Sequence, residues 1–87
     1  MPTISMFYGI IVRMYLRLES IRHRISMYYN QYKATVDIRT CEIIEGDLPA
    51  GQTRLVWAWA DLHQEELMAD WRLVTNGEQP FKIEPLK

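Results

Sequence analysis

Hydrophobic and polar side chains alternate through the first half of the chain, and the period changes once, near Pro49. Across residues 10–17, Ile10, Val12, Met14 and Leu16 take one side while Ile11, Arg13, Tyr15 and Arg17 take the other, which predicts a half-buried strand. Residues 18–23 lack a period and read as a connection. Alternation resumes over 24–29, with Ile25, Met27 and Tyr29 opposite Arg24, Ser26 and Tyr28. Asn30-Gln31 then makes a tight turn. Residues 32–39 place Tyr32, Ala34, Val36 and Ile38 against Lys33, Thr35, Asp37 and Arg39. A short fourth strand follows from Cys41 to Ile44, Glu45-Gly46-Asp47 closes it, and Pro49 suits the start of a helix.

From Ala50 to Thr75 the period is helical. Val56, Ala60, His63, Leu67, Trp71 and Val74 step by three or four into one stripe, flanked by Leu55, Trp59, Leu62 and Leu73. Glu66 and Asp70 fall in the same arc if the helix is continuous, and as like charges at i,i+4 they repel. A break near His63-Gln64 removes that conflict and puts Glu65 and Glu66 in the acidic first turn of a second helix. One kinked helix and two helices are equally compatible with the pattern. Asn76-Gly77 stops the helical part, and Pro80 to Lys87 form an extended tail with Phe81 and Ile83 free to dock. The predicted class is α+β: an antiparallel sheet of three to four strands, packed on one face by a long kinked helix or two helices. The sheet part occupies residues 1–48, the helical part 49–77 and the tail 78–87 of a single domain.

Composition narrows the function classes. With 87 residues, 48% of them hydrophobic, the chain has enough for one core. The lone Cys41 excludes an internal disulfide framework and favours a reducing compartment. No apolar run approaches the ~20 residues of a membrane span. Met1-Pro2-Thr3-Ile4 opens without the basic and apolar regions of a secretion signal. A cytoplasmic protein without membrane contact is the expectation. The net charge of −1 hides a division: six bases against two acids through residue 40, a balance of +4, and four bases against nine acids beyond it, a balance of −5.

Little in the chain points to catalysis. His63 and Glu66, at i,i+3, can present two metal ligands on one helical side, but nothing is spaced to supply the third and fourth. Cys41, with Arg39 behind it and Glu42 after it, reads as a small buried hydrophobe. Gly9, Gly46, Gly51 and Gly77 make no phosphate-binding loop. No enzymatic activity and no cofactor are expected.

Binding has more behind it. The outer side of the predicted sheet carries Arg13, Tyr15, Arg17, Arg24, Tyr28, Lys33 and Arg39, cations interleaved with tyrosines as a nucleic-acid platform requires. The same alternation also serves solubility alone, and the chain has no recognisable RNA- or DNA-binding signature. Arg13, Tyr15, Arg17, Arg24 and Lys33 are the candidate contacts for that alternative. On the helix, Trp57 and Met68 lie beyond the main stripe, beside Asp61 and Arg72, where a tryptophan serves as an interface anchor. Trp57, Asp61 and Met68 are therefore the candidate partner-binding residues. Asp61, Glu65, Glu66 and Asp70 offer an acidic face to a basic partner or to a second copy. Self-association or a small partner protein is the principal expectation.

Several stretches resemble one family: Met1-Pro2-Thr3-Ile4-Ser5-Met6-Phe7-Tyr8-Gly9-Ile10, Glu45-Gly46-Asp47-Leu48-Pro49, and the helix motif Trp59, Leu62-His63, Glu65-Glu66-Leu67, Trp71 and Asn76-Gly77-Glu78. With Ile83-Glu84-Pro85-Leu86, they resemble the small bacterial domain-of-unknown-function family 4160 over about residues 1–16 and 29–87. The resemblance implies a short stand-alone bacterial protein without established activity, often encoded beside another small protein in a toxin–antitoxin-like or mobile-element pair. It also implies a Pro-His-x-His element between the first two strands. Here that region reads Ile21-Arg22-His23-Arg24-Ile25-Ser26, with one histidine and no proline.

Overall fold

The computed structural model describes residues 3–14 and 23–87. Five strands come first: β1 (Thr3–Phe7), β2 (Ile10–Arg13), β3 (Arg24–Tyr29), β4 (Tyr32–Asp37) and β5 (Ile43–Gly46). Two helices follow, α1 (Ala50–Leu62) and α2 (Gln64–Thr75). The strands form one antiparallel sheet in the order β1-β2-β3-β4-β5, so the α+β class holds with more strands than the alternation predicts.

The additional strand is β1, and its sequence hides it. A register irregularity between Thr3 and Ser5 turns both Ile4 and Ser5 inward, which interrupts the two-residue period. The β1–β2 turn is Tyr8-Gly9, both at positive φ (+48° and +79°), and a tyrosine is an unusual occupant of the left-handed region. The other strands keep to their pattern more closely. β3 spans its predicted residues, and Asn30 at φ +50° makes the turn into β4. β4 stops at Asp37 because the backbone turns there, with the Cys41 N–H donating to the Asp37 carbonyl at 2.8 Å. Cys41 itself sits at φ +62°, which delays β5 to Ile43 rather than Cys41. Gly46, at φ +72°, ends β5 against β4 so closely that a Cβ would run into the Lys33 carbonyl oxygen.

One side of the sheet is the core. Ile10, Val12, Met14, Ile25, Met27, Ala34, Val36 and Ile38 are all buried there, as their alternation requires. Val56, Trp59 and Ala60 of α1 and Leu67 and Trp71 of α2 close over them. Phe7 packs against Trp59 with ring centroids 5.3 Å apart. The helices are separate. His63, at φ −115° and ψ 23°, ends α1 and begins α2. Gln64 holds the break in place, its side-chain amide donating to the carbonyls of Ile38 (3.0 Å) and Arg39 (2.8 Å) on the β4–β5 loop.

After Asn76-Gly77 the tail returns along the core as a strap. The Phe81 N–H donates to Asp70 Oδ1 at 3.0 Å and the Ile83 N–H to the Ile4 carbonyl at 2.8 Å. Trp59 Nε1 donates to the Glu84 carbonyl at 2.8 Å. Ile83 is buried, whereas Phe81 stays 73% exposed. Among the described residues, no helix is long and apolar enough to cross a membrane.

Candidate functional site

The solvent side of α1 is where the sequence leaves large apolar groups without a core to enter. Pro49 leads the chain into the helix in an extended conformation, and Thr53 Oγ1 donates to the Pro49 carbonyl at 3.1 Å. With Val56, Trp59 and Ala60 committed inward, the 3.6-residue period turns Arg54, Trp57, Ala58, Asp61 and Leu62 outward. Trp57 remains 49% exposed and Leu62 70% exposed. The exposure of Leu62 corrects its predicted place beside the buried stripe: α1 ends there, and the chain changes direction at His63. Of the three candidate partner-binding residues, Trp57 and Asp61 stand one turn apart on this face. Met68 does not join them. It belongs to α2, is half-buried against the core, and lines a shallow hollow with Gln64, Glu65 and Arg72.

The acidic helix face expected from the sequence is not continuous. Asp70 is only 3% exposed and turns inward, accepting the Phe81 N–H through Oδ1 while Oδ2 has no hydrogen-bond partner. Burial pushes its carboxyl above the ordinary carboxylate range. The Phe81 N–H opposes that shift and the charge of Glu66 reinforces it. Glu66 is engaged with His63, Oε1 lying 2.6 Å from Nδ1. Asp61 and Glu65 remain outward.

The outer side of the sheet brings part of the cationic set together. In register, Arg13 faces Ser26 and Lys33 faces Tyr28. The Arg13 guanidinium lies 5.2 Å and the Lys33 ammonium 5.5 Å from the centroid of the Tyr28 ring, so cations from both neighbouring strands are on one aromatic. Arg24 is spent otherwise: it stands opposite Asp37 and reaches Glu45 of β5 at 3.6 Å. Arg39 leaves the sheet for the β4–β5 turn, where its N–H donates to Asp37 Oδ1 at 2.8 Å. Tyr15 and Arg17 lie outside the described residues.

Both histidines pack against tryptophans. The His63 ring lies 5.5 Å from Trp59, and His23, the one histidine of the region expected to be histidine-rich, meets Trp71 edge-on at 5.5 Å. Burial and the charges of Asp61 and Asp37 push the Cys41 thiol up, which keeps it protonated at neutral pH and poorly nucleophilic. Among the described residues, no three His, Cys, Asp or Glu side chains gather into a metal-binding group.

A groove of about 540 Å³ was not anticipated from the sequence. Thr3–Met6 of β1, Lys82–Pro85 of the strap and Glu66 line it. The sequence left Phe81 and Ile83 free to dock without showing the surface docked upon; of the two, Ile83 is buried and lines the groove, while Phe81 stays exposed.

A family model described as "Domain of unknown function (DUF4160)" matches residues 9–72. The matched segment contains the outward face of α1 and the Arg13–Tyr28–Lys33 cluster alike. Comparison with the curated proteins and with the solved structures gives no match.

Proposed function

The chain belongs to the DUF4160 family, and on that premise we propose that it is a non-enzymatic binding protein that acts through protein–protein contact, its contact face being the outward side of α1. The observation that carries this reading is Trp57. A half-exposed tryptophan at the middle of a helix face is costly to leave in water, and Leu62, one turn beyond Ala58, compounds the cost. The core does not need either residue, because Val56, Trp59 and Ala60 already fill α1's inner side. Tryptophan is, with Tyr and Arg, among the residues enriched at the energetic centres of protein interfaces. We place the protein in the bacterial cytoplasm, as one member of a toxin–antitoxin-like two-gene module whose other product supplies a partner. That placement rests on the family resemblance.

The test is co-purification of the chain with the protein encoded beside it, together with sedimentation of the chain alone. The reading expects a retained partner or a self-associated species, either of them weakened more than about tenfold by Trp57→Ala. A strict monomer that retains nothing contradicts it.

A second reading, nucleic-acid binding on the outer sheet face, is favoured by one observation. Arg13 and Lys33 have no carboxylate partner among the described residues, so both remain able to meet phosphates. It ranks second because Tyr28, the aromatic at that spot, already carries both cations on its ring, and because Arg24 is neutralised by Glu45.

A further inference from the structure

The face of α1 has an internal symmetry that specifies what fits it. Arg54, Trp57, Ala58 and Asp61 are spaced i, i+3, i+4, i+7, so all four project from one side. Arg54 and Asp61 are seven residues apart, roughly 10 Å along the axis, and face the same way. Among the described residues neither makes an ion pair. Between them stand one very large side chain and one very small one.

Two copies of such a face related by a two-fold axis perpendicular to the helix lie antiparallel, and in that arrangement the numbers of facing residues have a constant sum. An axis passing between Trp57 and Ala58 sets Trp57 of each copy over Ala58 of the other. The same axis brings Arg54 of each copy opposite Asp61 of the other, without adjustment of register. The large residue thus fills the space left by the small one, and two opposite-charge pairs flank the apolar centre. The reverse arrangement is excluded by its charges: parallel packing in register puts Arg54 on Arg54 and Asp61 on Asp61.

We infer that the occupant of the α1 face is a second copy of this chain, docked antiparallel through Arg54, Trp57, Ala58 and Asp61, with Leu62 extending the apolar strip. This rests on the reading of α1 as the contact face and adds the partner and the register. α1 has 13 residues, so it is ~20 Å long, and a contact of that length falls at the small end of specific interfaces, below ~1,200 Å². The dimer is accordingly weak and exchanging.

Sedimentation equilibrium over a wide concentration range, on the full chain and on charge variants, tests the inference. All the substituted positions are exposed, and circular dichroism checks that each variant folds. The wild type should show a reversible monomer–dimer equilibrium. Arg54→Asp or Asp61→Arg alone sets like charges against each other at two places and should weaken the dimer by at least about tenfold. The double variant Arg54→Asp/Asp61→Arg restores both pairs and should recover most of the loss, and added salt should shrink all three differences. A monomer at every concentration overturns the inference, while the α1 contact reading survives if another protein is retained in a Trp57-dependent way. Association weakened by Trp57→Ala but indifferent to the charge reversals overturns the antiparallel register. Association indifferent to Trp57→Ala as well overturns both readings.

Discussion

Asp70 is the residue whose surroundings depart furthest from what its type suggests. It looks like one more charge on an acidic helix, yet it is buried beneath the returning tail, with one oxygen satisfied by the Phe81 N–H and the other unsatisfied. The fold holds its pKa above the unfolded value of about 3.8, chiefly by desolvation. A carboxyl shifted upward binds its proton more tightly in the folded state. It therefore costs stability at pH values above its folded pKa, and that cost is relieved as pH falls toward 3.8. Asp70→Asn keeps an acceptor for Phe81 and removes the charge. Measured by denaturant unfolding, the stability of wild type relative to this variant should rise as pH is lowered from neutral to about 4. A difference that stays constant or moves the other way would show that Asp70 carries no raised pKa.

At the scale of elements, the strap and the break between the helices depend on single side chains that bridge distant parts of the chain. Trp59 is fully buried and also anchors residues 81–86 through its indole N–H on the Glu84 carbonyl. Trp59→Phe keeps an aromatic ring against Phe7 but removes that donor, at a cost of about 1–3 kcal/mol. Hydrogen exchange should then show the Ile83 amide losing more protection than the β3 and β4 amides, which lose only the overall stability cost because they exchange by global unfolding. Unchanged protection at Ile83 would mean that the strap is held without Trp59. Elements whose pattern follows from their own neighbours were legible in the sequence: β3, the Asn30-Gln31 turn, the inward side of β2 to β4, and the stop at Asn76-Gly77. β1 was not, because the irregularity at Thr3–Ser5 cancels its period and Tyr8 occupies a conformation usually left to glycine or asparagine. Likewise the break at His63 was left open by the pattern, since the Gln64 contacts that fix it reach back 25 and 26 residues. As for the candidate contact residues, the spacing put Trp57 and Asp61 on one exposed face of α1, but it could not show that Met68 and Asp70 turn toward the core while Leu62 turns away from it.

For the whole molecule, the division of charge between the two halves resolves into local pairings more than into two opposed fields. Arg24 of the basic half meets Glu45 of the acidic half, Arg13 and Lys33 share Tyr28, Glu66 is taken by His63, and Asp70 is inside. What the division leaves on α1 is one cation and one anion, Arg54 and Asp61, on either side of an exposed tryptophan. We propose that this face of α1 is where the molecule meets its partner. Its most direct test is a series of amide chemical-shift maps recorded from dilute to concentrated protein, and again with the neighbouring gene's product or a single-stranded oligonucleotide added. Shifts should gather on Arg54, Trp57, Ala58, Asp61 and Leu62 and leave the outer sheet face unmoved. Shifts confined to Arg13, Tyr28 and Lys33 on adding the oligonucleotide, with α1 silent throughout, would contradict it.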